Sequence, residues 1–223
     1  MKLLRYGPAG AEKPGLLDAD GGIRDLSAHL HDLDASALAP AHLSRLRSLD
    51  PGSLPRVTGS PRLGVPFTGT RQFIAVGLNY VDHAAEAGMR VPKEPILFTK
   101  AVSCLQGPDD EVRRPRNSQK MDWEVELGIV IGTAAHYVDR EEALAHIAGY
   151  VIVDDLSERE FQTERGGTWD KGKGCETFGP VGPWLVTPEE IADVQSLGLW
   201  LDVNGEPMQR GNTSNMIFDC ATL

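Results

Sequence analysis

Between Met121 and Gly132 the chain reads MDWEVELGIVIG, where Trp123, Val125, Leu127, Ile129 and Ile131 alternate with Glu124, Glu126, Gly128 and Val130. A period of two is that of a β-strand with one apolar face, so the odd-numbered set is expected to meet a core and both glutamates to share the opposite face. Strands are also expected in QFIAVGLNY (72–80), EPILFTKAVSCLQG (94–107) and YVIVDD (150–155). Helical turns are expected in VDHAAEAG (81–88), closed by Gly88, in DREEALAHIAG (139–149) with Asp139 as N-cap, and in LSEREFQTERGG (156–167) with a glycine stop. WDKGKGCETFGPVGP (169–183) reads as a long loop, and LGLWLDVNGEPMQRG (197–211) as a hairpin turning at Asn204-Gly205.

The first part of the chain has a different texture. KPGLLDADGGIRDLS (13–27) reads as two short strands around an Asp-Gly-Gly turn, and residues 28–50 as short helical pieces broken by Pro40. PGSLPRVTGSPRLGVPFTG (51–69) resembles a surface linker, which places a domain boundary near residue 66: a small N-terminal domain over 1–66 and a core domain over 67–223. Many strands with few helices give an α+β class.

Composition narrows the partners. The 223 residues carry a net charge of −10, which leaves no basic surplus for nucleic acid or an anionic membrane and favours small molecules. No apolar run approaches the ~20 residues of a membrane span and the N-terminus shows no leader pattern, so a cytoplasmic protein is expected. Cys104, Cys175 and Cys220 are widely spaced with no Cys-x-x-Cys pair, the pattern of reduced thiols.

Glutamates on the outer face of a half-buried sheet are ordinary. Here, however, YVIVDD brings further carboxylates to another strand end, and three gathered carboxylates repel unless a cation or proton neutralises them. Hard divalent cations take oxygen ligands, so an open Mg²⁺ or Mn²⁺ site follows. Neighbouring strand residues face opposite ways, so one of Asp154 and Asp155 points toward the glutamates, and the other is free to cap the helix that follows. His83 and Glu86, three apart, share a helical face, either as a general base with its orienting carboxylate or as a solvated pair. Lys171 and Lys173, in a glycine-rich loop, and Lys100, at a strand end, are either solvated charges or cations that approach an anionic substrate.

Taken together, FIAVGLNYVDHAAEAG, PILFTKAVSCLQGP, DWEVELGIVIG, AGYVIVDDLSEREFQTERGGTWDKGKGCETFGPVGPWLVTPEEI and VNGEPMQRGNTSNMIF resemble the fumarylacetoacetate hydrolase family over nearly everything after residue 71. The resemblance implies a β-rich distorted barrel preceded by a small N-terminal domain. It also implies a divalent metal, Mg²⁺ or Mn²⁺, held by Glu124, Glu126 and Asp155. His83 would activate water with Glu86 as its partner, Lys173 would contact the substrate enolate, and Arg159 and Gln162 would lie at the substrate pocket. The implied reaction is hydrolysis of a carbon–carbon bond in a dicarbonyl acid by a homodimer. SEREFQTERGGTWDKGKGCETFGPVGPWLVT looks most like the branch acting on 2,4-diketo-3-deoxy-L-rhamnonate or L-fuconate, which also includes proteins labelled ureidoglycolate lyase. A lyase or oxaloacetate-type decarboxylase on the same scaffold is the alternative. Family members continue past the point matching MIFDCATL, so the C-terminal part of the barrel is expected to be missing, and an inactive binding protein is the reading if the chain ends there.

Overall fold

In the computed structural model, which describes residues 1–86 and 88–223, the chain opens with β1 (Lys2–Tyr6), β2 (Lys13–Leu17) and β3 (Ile23–Asp25). The turn between β2 and β3 is built by Asp18, whose carboxylate accepts from the backbone N–H of Asp20 and of Gly22. Residues 28–39 form turns and bends only, and Pro40 opens helix α1 (Pro40–Arg47) instead of breaking one. A proline in the first helical turn gives up an N–H that has no intrahelical partner anyway.

After the proline-rich segment come β4 (Ile74–Gly77), α2 (Val81–Glu86), β5 (Ile96–Thr99), β6 (Leu105–Gln106), β7 (Met121–Asp122) and β8 (Val125–Ile131). They are followed by α3 (Arg140–Ala143), β9 (Ile147–Asp154), β10 (Ser157–Glu158), α4 (Arg159–Thr163), α5 (Asp170–Lys173), β11 (Gly179–Val186), β12 (Gly198–Val203) and β13 (Glu206–Asn212). The fold is mixed α and β with a sheet-rich core, as the pattern predicts. The main sheet runs β3-β2-β1-β11-β9-β8, with β6 parallel to β11; β4–β5, β7–β10 and β12–β13 pair separately. Asn204 and Gly205, with φ of 53° and 83°, make the expected hairpin turn. Among the described residues no helix is long and apolar enough to cross a membrane.

Two features depart from the pattern. The first is β11, whose residues 179–183 fall in the segment expected as a long loop and carry two prolines, which are rare in central strands. Its register against β9 shifts between Gly182 and Val186, and that irregularity accommodates them. β11 is also the strand that receives the N-terminus, through Lys2↔Val186 and Leu3↔Leu185. Leu3, Leu16, Leu26 and Leu33 consequently share one buried cluster with Ala148, Val151, Val153, Val181 and Leu185, on both sides of residue 66.

The second departure concerns β8. Gly128 lies opposite Val151, and a Cβ there would meet Val151 Cγ2 at 2.6 Å and Val153 Cγ2 at 2.8 Å. Val130, on the same face as Gly128, packs on the main core. The face bearing Glu126 is therefore the inward one. Ile131, from the odd-numbered set, is 59% exposed, and Ile152, opposite Leu127, is 56% exposed. An alternating pattern specifies two faces without saying which lies inside when both carry apolar residues.

Arg62 ties the N-terminal strands to the later chain. Its guanidinium bonds Asp110 at 2.6 and 2.5 Å and Glu12 at 2.8 Å. Burial alone would raise the Glu12 carboxyl, but the Arg62 hydrogen bond and the charges of Arg5 and Arg62 hold it below its ordinary value. The Arg62 bond also lowers Asp110. A depressed carboxylate contributes stability above its unfolded pKa and loses it as pH falls through the folded value. Arg62→Met should therefore destabilise the protein by about 1–2 kcal/mol at pH 7 and move acid unfolding to a higher pH. Circular dichroism along an acid titration tests this; an unchanged midpoint would show that the clamp contributes nothing.

Candidate active site

At the end of β8 and β9 the backbone pairing extends one step further, with Asp155 N–H donating to Glu124 O at 2.8 Å. That pairing sets Glu124 opposite Asp155, on the inward face shared with Glu126. Six charged side chains then form an alternating chain. Lys100 Nζ lies 2.7 Å from Asp155 Oδ1, and Lys173 Nζ donates to Asp155 Oδ2 and to Glu124 Oε2, both at 2.7 Å. Arg159 Nη2 donates to Glu124 Oε1 at 2.6 Å, and its Nε to Asp122 Oδ2 at 2.8 Å. Its remaining Nη1 donates to Gln162 Oε1 at 3.0 Å. The guanidinium is thereby committed to fixing Glu124.

Local packing explains how two lysines come to be buried here. Lys173 is 2% exposed and sits on the single turn of α5, which lies against α4. A Cβ at Gly172 would meet Glu158 O at 2.3 Å and Gln162 N at 2.6 Å, so only glycine permits the approach. The Phe98 ring, 5.3 Å from Lys173 Nζ, closes the other side, and Trp169 stacks edge-on against Phe98 at 5.3 Å. Lys100, at the end of β5, donates to Leu156 O at 3.2 Å and Lys173 O at 2.5 Å.

Glu126 stands apart. Desolvation, with the charges of Glu124 and Asp155, pushes its carboxyl up to about 8 against a lesser opposing pull from Lys173. Asp154 accepts from Glu124 N–H at 3.2 Å and is raised to about 6, mainly by burial. Asp155 thus faces the lysines while Asp154 supports the strand, and neither caps the helix that follows.

Among the described residues no group of three His, Cys, Asp or Glu is arranged, as it stands, to hold a metal ion. The donor chemistry nevertheless suits a hard divalent cation. Glu124, Glu126 and Asp155 offer only carboxylate oxygens on one face, and Asp155 Oδ1 is buried without a hydrogen bond despite its proximity to Lys100. Among the described residues Glu126 has no ion-pair partner, and an ammonium lies between the other two carboxylates.

His83 and Glu86 lie on α2, both exposed, and no ion pair joins them among the described residues. Asp82, beside His83, accepts from Asn215 Nδ2 at 2.9 Å, and Asn79 bonds the Phe218 backbone through both ends of its amide. Tyr80, just before α2, has its hydroxyl raised by burial and then by the Glu126 charge. Lys171 points elsewhere, to Arg165 O.

One residue was not anticipated from sequence. Glu158, fully buried, accepts from Ser118 Oγ, Gln119 N–H and Lys120 N–H through one oxygen and from Phe161 N–H through the other. Burial would raise this carboxyl, but the backbone donors hold it below its usual range. It caps α4 and pins residues 118–120 against it. Its only signal was its place before a short helix, where Asp or Ser is the usual residue.

Three comparisons bear on this geometry. Residues 72–223 match the family described as fumarylacetoacetate (FAA) hydrolase, C-terminal. A Burkholderia multivorans protein described only as a hydrolase is 60% identical over all 223 residues, which cover 79% of its length. Fumarylacetoacetate hydrolase from Exiguobacterium antarcticum superposes with a TM-score of 0.84 at 33% identity, covering 100% of this chain and 79% of that one. Maleylpyruvate hydrolase from Sphingobium sp. SYK-6, in complex with manganese(II) ion and pyruvate, gives 0.81 at 26% identity, with 100% and 80% covered.

Removing the Glu158 carboxylate strands four donors that converge on one site. Glu158→Ala should cost about 3 kcal/mol or more and accelerate amide exchange at Gln119, Lys120 and Phe161. Unchanged exchange at those three amides would mean that the loop is held by something else.

Proposed function

The chain belongs to the fumarylacetoacetate hydrolase family, and on that premise we propose that it is a divalent-metal-dependent hydrolase cleaving a carbon–carbon bond in a 2,4-diketo acid. The observation that carries this reading is the alternating buried charge chain built on Glu124, Asp155 and Lys173, with Glu126 beside it. The manganese and pyruvate bound by the Sphingobium enzyme support it, because pyruvate is the product such a cleavage leaves.

Glu124, Glu126 and Asp155 are the residues that would hold Mg²⁺ or Mn²⁺. When bound, such an ion supplies Lewis-acid polarisation of the substrate's carboxylate and adjacent 2-oxo group. His83 on α2 takes a proton from water, and the hydroxide adds to the C4 carbonyl. Collapse of the tetrahedral adduct breaks the C3–C4 bond, with its electrons passing into a pyruvate enolate that is then protonated at C3. The Lys173 ammonium stabilises that developing charge, the kind of contribution that is commonly the largest single term in catalysis. Arg159 and Gln162 hold Glu124 in position at the pocket wall, and Lys100 fixes Asp155. The preferred substrate is 2,4-diketo-3-deoxy-L-rhamnonate or the L-fuconate equivalent, giving pyruvate and lactate, in a cytoplasmic homodimer.

Turnover of an acylpyruvate in ¹⁸O-labelled water, with and without Mg²⁺ or Mn²⁺, tests the reading. Hydrolysis places label in the acid released from the C4 side; unlabelled products would make the protein a lyase or decarboxylase. Absence of turnover with either metal would favour a binding protein. His83→Ala should lower turnover by roughly 10²-fold or more while leaving competition by oxalate, a planar enolate mimic, intact. Loss of oxalate binding would instead make His83 a ligand. Calorimetry on Glu124→Ala and Glu126→Ala should show metal binding lost; retained affinity would remove these residues from the ligand set.

A further inference from the structure

The two buried lysines are held in different ways. Lys100 Nζ is anchored by two main-chain carbonyls, Leu156 O and Lys173 O, in addition to Asp155. Among the described residues Lys173 Nζ donates only to Glu124 Oε2 and Asp155 Oδ2, the two oxygens it bridges. Its hydrogen bonds therefore go to groups that a divalent cation would also claim, and the Phe98 ring, 5.3 Å from Nζ, is its further contact. The rest of the residue is fixed independently, since its carbonyl accepts from Lys100 and its backbone N–H donates to Trp169 O at 3.0 Å. The backbone of Lys173 is thus held apart from the bonds of its ammonium.

We propose that Lys173 is a tethered counter-cation that occupies the space between Glu124 and Asp155 in the metal-free protein and competes with the divalent ion for them. The inference rests on the reading that these carboxylates, with Glu126, bind metal. Metal entry and release of the ammonium toward the substrate are then one coupled event, and Lys173 serves the enolate only in the loaded protein. Until then it neutralises both carboxylates, so that two buried negative charges do not repel across an empty gap.

A competitor that fills a site most of the time weakens apparent affinity by the fraction of time the site is free. Lys173→Met should therefore bind Mn²⁺ about tenfold or more tightly than wild type, read from the electron paramagnetic resonance signal of free Mn²⁺ and from calorimetry. The variant should also be less heat-stable than wild type in chelator, with Mn²⁺ raising its melting temperature by more than it raises that of wild type. Lys173→Gln, uncharged but still a donor, serves in its place if Lys173→Met does not fold, and should also bind more tightly. Wild type that binds Mn²⁺ with variants that bind equally or more weakly would overturn the proposal and leave the metal reading intact. No binding by wild type with measurable binding by a variant would be the competition in its extreme form. No binding by any of them would remove the metal reading, and this inference with it.

Discussion

Burial of charge at the ends of β8 and β9 is the constraint to which the rest of the structure answers. A carboxylate taken from water into a protein interior loses several kcal/mol of hydration unless a partner of opposite sign meets it with good geometry. Here Asp122, Glu124 and Asp155 alternate with Arg159, Lys173 and Lys100, so each buried sign has its opposite as a neighbour. The alternation requires cations from three distant segments to arrive at one place. β5 brings Lys100, α4 brings Arg159 and α5 brings Lys173. Much of the later fold serves that delivery.

Small residues and one structural carboxylate make the delivery possible. Gly172 lets α5 lie on the backbone of α4, which brings the Lys173 stem to the depth at which its ammonium reaches both carboxylates. Glu158 then fixes the other side of α4 by gathering the donors of residues 118–120, and that loop leads into β7 and the Asp122 carboxylate that holds Arg159. Arg159 N–H completes the frame by donating to Lys120 O at 2.8 Å. The position of Glu124 is thus set twice, by strand pairing with Asp155 and by a guanidinium whose own seat depends on Glu158. Geometry held in two independent ways keeps a set of donors preorganised when no ligand is present.

Much of this was legible in the sequence, and what was not has specific causes. The period of two located β8 and placed both glutamates on one face, but apolar residues on both sides of the strand left the inward face ambiguous, and both sides meet core, Val130 on one and Val125 and Trp123 on the other. β11 was hidden by Pro180 and Pro183, because local propensity speaks against a central strand and only its partners β1 and β9 override it. A boundary near residue 66 followed from linker composition, whereas the pairing of Leu3 with Leu185 is a long-range contact that composition does not record. The face shared by Glu124, Glu126 and Asp155 could be reached by alternation together with the family likeness. Lys100 and Lys173 could be named as candidate cations of the site, but not their burial against the carboxylates, because a glycine-rich loop and a strand end suit solvated lysines equally and only the close approach at Gly172 buries the second.

The balance of signs also bears on how the fold survives without a ligand. Three cations offset Asp122, Glu124 and Asp155, while burial pushes the two remaining carboxyls up, Glu126 to about 8 and Asp154 to about 6. Asp122, Glu124 and Asp155 therefore find their counter-charges within the chain itself. That separates the cluster from a structural metal centre, whose thiolate or carboxylate ligands leave the apo chain unfolded until the ion arrives. Such pairing has an opposite consequence for ligand binding: a divalent ion entering the cluster would have to displace an ammonium. A centre built this way would give up affinity for the ion in exchange for side chains already held by their partners, a trade suited to a site that exchanges its contents and unsuited to one that only holds the chain together.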